Sequence, residues 1–67
     1  MTVFIHKKGS KNRLDLIDKM SNFKLTRDKD LWLRIVEKVR NAPMLTVNLD
    51  AQEAWEWNKF GMMRDLK

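Results

Sequence analysis

His6 is the single imidazole in the chain, and there is no Cys. A catalytic His needs a nucleophile or an orienting carboxylate in reach, and the near neighbours of His6 are Lys7 and Lys8. The plain reading of His6 is a surface residue at the end of a strand. The only glycines are Gly9 and Gly61, so there is neither a phosphate-binding loop nor a dinucleotide fingerprint. A zinc site needs more ligands than one His supplies without Cys. No carboxylate stands in the isolated apolar setting that tunes a group for acid–base work. The sequence points to a binding module with no catalytic residues, no cofactor and no metal, and away from an enzyme.

Three groups of residues could carry binding. The first is the segment His6-Lys7-Lys8-Gly9-Ser10-Lys11-Asn12-Arg13, in which four of eight residues are Lys or Arg. If a helix starts after Ser10, its free N–H groups point where Lys7, Lys8, Lys11 and Arg13 also point, which makes a phosphate site. A solvated basic loop has the same composition. The second group is Arg27, Arg34 and Lys38, at spacings of seven and four on one helix flank. Such a flank can track a phosphate backbone, or it can be an ordinary solvent side balanced by Asp30 and Glu37.

The third group lies on the last helix. Ala51, Trp55, Met62 and Leu66 fall in one arc, read as the core face, while Trp57 and Phe60 lie on a different side with Glu53 and Arg64. So small a domain does not easily bury two aromatic faces of one helix. Trp beside Arg is the composition that anchors protein interfaces. The expectation is a docking or self-association patch of Trp57, Phe60, Arg64 and Glu53, with Met62-Met63 as an adaptable rim. The competing expectation is a helix wedged between two layers, with both faces core.

These residues need elements to place them. Thr2 to His6 is β-branched and aromatic, which predicts a short strand, ended by the turn signal Lys7-Lys8-Gly9-Ser10. Ser10 is a fitting N-cap for a helix over about 11–22. Its face is Leu16, Ile17, Met20 and Phe23, with Leu14 pointing away. A second strand over Arg13 to Ile17 is the alternative. Thr26 or Asp28 caps a second helix to about Asn41, before Pro43, with a stripe of Leu31, Trp32, Ile35, Val36, Val39 and Ala42. Met44 to Leu49 alternates as a strand, with Leu45, Val47 and Leu49 on one side. Asp50 and Glu53 form a capping box for a third helix over about 51–65. The reading is α+β, one domain over 1–67, in the order β-α-α-β-α.

At 67 residues the chain buries a limited core. Self-association, including a homodimer, or docking on a partner would help it. With 43% apolar residues it is not a disordered tail. Fourteen Lys and Arg against nine Asp and Glu give a net charge of +5, which favours anionic partners such as nucleic acid. The missing Cys suits a reducing compartment. No secretory signal is visible, and the longest uncharged stretch, Asn41 to Leu49, falls far short of the ~20 apolar residues of a membrane span. The expected location is the cytoplasm.

The order and spacing of the first forty or so residues, strand, helix, Thr26-led turn and helix, resemble the ribbon–helix–helix family of DNA-binding repressors. The resemblance implies that two chains pair their strands and that outward strand residues enter the major groove. The readers would then be Thr2, Phe4 and His6, or Val3, Ile5 and Lys7. The strand and helix after Pro43 lie outside that pattern. Two functional expectations follow. The leading one is a small regulatory or inhibitory protein that docks on a larger protein through its C-terminal aromatic helix, in the style of phage-encoded inhibitors of host enzymes. The alternative is a dimeric DNA- or RNA-binding regulator that uses the basic loop and the helix flank.

Overall fold

The computed structural model describes residues 1–64, with side chains through Met62. It contains β1 (Thr2–Phe4), α1 (Lys11–Ser21), α2 (Lys29–Asn41), β2 (Thr46–Asn48) and α3 (Ala51–Arg64), an α+β domain in the order expected. A helical hairpin is inserted between two antiparallel strands, and α3 follows the second strand. The register pairs Thr2 with Asn48, Val3 with Val47 and Phe4 with Thr46. The segment Arg13 to Ile17, for which the sequence also allows a second strand, lies within α1.

Local chemistry explains each start and stop. Ser10 caps α1, its hydroxyl accepting from the Arg13 N–H at 3.1 Å. Gly9, at φ +81, makes the turn that brings Ser10 back to donate from its hydroxyl to the Lys7 carbonyl at 2.6 Å. Asp28 is the cap of α2, accepting from the N–H groups of Asp30 and Leu31 at 3.0 and 3.1 Å. The capping box at α3 is reciprocal. Asp50 accepts from the Glu53 N–H, and Glu53 accepts from the Asp50 N–H, both at 2.9 Å.

The core follows the stripes. Leu16 and Met20 of α1 meet Leu31, Trp32, Ile35, Val36 and Val39 of α2, with Val3, Ile5 and Leu49 coming from the sheet side. Leu14 is exposed, as its position on the helix requires. Phe23, Trp32 and Phe60 form an aromatic triangle with ring centroids 4.9 to 5.4 Å apart. The Trp32 indole N–H donates to the Met20 carbonyl at 2.8 Å, which satisfies the end of α1 from the facing helix. Of the second strand's expected inner side, Leu49 is buried and Val47 half-buried, but Leu45 is exposed.

Two expectations are corrected. β1 pairs with β2 of its own chain, where the ribbon–helix–helix resemblance implied pairing between two chains. Val3 and Ile5 face the core, so only Thr2 and Phe4 of the two reader sets look outward from β1. The orientation of α3 is also reversed. Phe60, Glu53 and Glu56 point inward and Trp57 is half-buried, while Ala51, Trp55 and Met62 are exposed. Leu66 and the side chain of Arg64 lie outside the described residues.

Candidate functional site

The reversal of α3 has a chemical cause. Glu53 is fully buried, and its Oε1 accepts from the Lys38 ammonium at 2.7 Å as well as from the Asp50 N–H. One turn on, Glu56 is also buried and accepts from the Thr26 hydroxyl and, at 3.0 Å, from the Arg27 N–H. Both carboxylates therefore address groups on or just before α2. Phe60, seven residues after Glu53, falls on the same side and closes the aromatic triangle. The inner face of α3 is built around two carboxylates and one ring, a pattern that reads in sequence as a solvent side.

What remains outside is the opposite face. Trp55 is 51% exposed. The Arg27 guanidinium lies over its ring at 5.4 Å from the centroid, and the Lys59 ammonium at 5.3 Å. Cations at this range are attracted to the indole's electron-rich face. Arg27, Asp28, Leu31, Gln52, Trp55 and Glu56 line a groove of about 440 Å³ between the start of α2 and the first turns of α3. The groove combines an indole, an aliphatic side chain, an amide and charges of both signs.

The patch read from the sequence is thus taken apart. Phe60 and Glu53 are interior residues and Trp57 packs partly against the core, so they cannot present a docking surface together. The helix is the one expected, but its open face is centred on Trp55. The basic flank also divides. Lys38 is turned to Glu53 and Arg27 lies on Trp55, while Arg34 is exposed and in no ion pair among the described residues.

The basic loop divides in a different way. Lys7, Lys8 and Lys11 are exposed, but Arg13 is buried. Its guanidinium makes six hydrogen bonds to five backbone carbonyls. Nε donates to Ile5 at 2.9 Å and His6 at 3.2 Å, one terminal nitrogen to Val39 at 2.7 Å and Ala42 at 2.9 Å, and the other to His6 and Met44, each at 2.8 Å. Two of these carbonyls end α2, where the helix dipole is negative. Arg13 is a structural residue, and composition alone does not separate it from its basic neighbours; the Ser10 cap, which sets the phase of α1, does. His6, the one non-glycine residue with positive φ among the described residues, at +69, gives its carbonyl to two of these bonds. Its ring meets Phe4 edge-on at 4.9 Å.

Among the described residues, no cluster of three or more His, Asp or Glu could hold a metal ion. No described helix is long and apolar enough to cross a membrane. Comparison with family models, curated proteins and solved structures found no match.

Proposed function

We propose that this chain is a non-catalytic regulatory module that docks on a larger protein through the outer face of α3, with Trp55 as the central anchor. The observation that carries this reading is Trp55 itself, a half-exposed indole with two cations over its ring at the rim of a groove. Trp and Arg dominate the energetic centres of protein interfaces. A side chain already fixed by its neighbours loses little further freedom on binding. The charges of the groove indicate the partner's chemistry. Arg27 and Lys59 suit a carboxylate next to the apolar residue that covers Trp55. Asp28, exposed in the same groove, disfavours a continuous phosphate chain and suits a polypeptide that presents donors as well.

The test is a photo-crosslinking amino acid placed at Gln52 on the groove rim or, as control, at Arg34, in cells that make the protein naturally. A discrete protein adduct from position 52 and not from 34 supports the reading. With that partner purified, Trp55→Ala should raise Kd about 30-fold or more, the size of a hot-spot loss, without lowering Tm. Equal adducts at both positions, or a Trp55→Ala variant that binds normally, would remove Trp55 as the anchor.

A further inference from the structure

The two ends of the molecule differ in charge, and the difference follows the fold. Residues 1–14 and 42–49 contain no Asp or Glu. The fold brings these two segments together, because β1 and β2 belong to them and Arg13 ties residues 5 and 6 to residues 42 and 44. Every acidic residue up to Arg64 lies on α1, on α2, on α3 or directly beside one of them. Among the described residues, the sheet itself and the lysine loop thus carry no carboxylate. Lys7, Lys8 and Lys11 stand exposed there, and none of the three is in an ion pair among those residues.

This end also carries an aromatic ring without cover. Phe4 is 59% exposed on the outer face of the sheet, flanked there by Thr2 and braced edge-on by His6. Its backbone is held in the ladder with β2, and the chain leaving it is fixed by the Arg13 bonds to the Ile5 and His6 carbonyls. The backbone that carries the ring is thus fixed, three residues in sequence before the first of three exposed lysines that are in no ion pair among the described residues.

We infer that the outer face of this sheet and the adjoining lysine loop bind single-stranded nucleic acid, with Phe4 stacking on a base and Lys7, Lys8 and Lys11 meeting the phosphates. An exposed ring on a positively charged face is the combination that holds unpaired bases without sequence preference. A duplex fits less well, because its bases are already stacked. The outward residues Thr2 and Phe4 also lack the bidentate groups that read base pairs in the major groove. A protein surface fits less well too, since the strands and the lysine loop offer no carboxylate for the negative half of a mixed-charge interface.

The experiment is fluorescence anisotropy of the full chain with short labelled oligouridine, oligothymidine and a matched duplex, at salt from about 50 to 200 mM. Single strands should bind with Kd of about 1–100 µM at the low end, and more tightly than the duplex. Phe4→Ala and Phe4→Leu should each weaken binding about tenfold, and Phe4→Trp should retain it, since only a ring stacks. Neutralising the three lysines to Gln should lower the slope of log affinity against log salt by about 2, at about 0.7 for each phosphate no longer neutralised. Phe4 is exposed, so these variants keep the wild-type Tm, and that is checked alongside. The inference is overturned if single strands do not bind, if the duplex binds as well, or if Phe4→Leu binds like the parent. It is also overturned if polyglutamate of equal charge competes as well as oligouridine, since the face would then be a docking site for acidic proteins.

Discussion

A buried guanidinium is costly to desolvate, and Arg13 meets that cost with neutral carbonyls and no carboxylate. The planar fork of Arg suits this arrangement, since it spreads donors in fixed directions. Lys has three donors on one point and would leave at least two of the five carbonyls without a bond from it. Arg13→Lys should therefore destabilise the domain by about 2 kcal/mol and Arg13→Ala by about 3 kcal/mol or more, read from urea denaturation. A loss below about 0.5 kcal/mol for Arg13→Ala would mean that water replaces the guanidinium at little cost. His6 belongs to the same unit. Its left-handed backbone is a strained conformation for a residue with a Cβ, and the two Arg13 bonds to its carbonyl hold it there. None of this is visible in the segment Lys7 to Arg13, where four basic side chains look alike. What separates them is where α1 begins: Ser10 as the cap puts Arg13 on the inner side of the first turn.

Among the elements, α2 is the most legible in the sequence and α3 the least, for one reason. The stripe of α2 is wholly apolar, so periodicity and burial coincide. The inner face of α3 carries Glu53 and Glu56, and a buried carboxylate is counted as surface by any apolar pattern. The capping box holds the missing information. Asp50 and Glu53 mark the helix start, and the same Glu53 carboxylate also reaches Lys38 of α2, which fixes how the helix is rotated. Once Glu53 is turned to Lys38, Phe60 must fall inward and Trp55 outward. Substitutions separate the two faces. Phe60→Ala should cost about 3–5 kcal/mol, as for large buried aromatics, while Trp55→Ala should change stability by no more than about 0.5 kcal/mol. Since 1 kcal/mol shifts Tm by about 4–8 °C in a domain of this size, a thermal melt resolves the difference. Similar losses at both positions would contradict the rotation described for α3.

Among the described residues, the surface is more basic than the composition suggests, because the interior there holds two acidic side chains, Glu53 and Glu56, against one buried cation, Arg13. Much of that excess sits on the sheet end. Two consequences run in opposite directions. Raising salt from about 20 to 200 mM should raise Tm by a few degrees, because it screens repulsion between like charges, and it should weaken binding to nucleic acid. Replacing Lys7, Lys8 and Lys11 by Gln should flatten both responses together. A Tm that falls with salt would show that attractive pairs such as Lys19–Asp15 outweigh the repulsion. The α+β class and the order of elements are legible because strands, caps and the Pro43 stop each have local signals. The pairing of β1 with β2 is not, since three-residue strands carry no signal for their partner and the first forty residues resemble a family that pairs between chains.

The carbonyls around Arg13 come from the end of β1, the end of α2 and the approach to β2, separated from it by 7 to 31 residues along the chain. The bonds to Val39 and Ala42 need the helical hairpin closed, and the bond to Met44 needs the approach to β2 in place as well. On this account the guanidinium acts as a latch closed late in folding, and Arg13→Ala should speed unfolding while leaving the refolding rate nearly unchanged, read from the two arms of a denaturant chevron. An equal slowing of refolding would show instead that the Arg13 bonds are already made at the barrier.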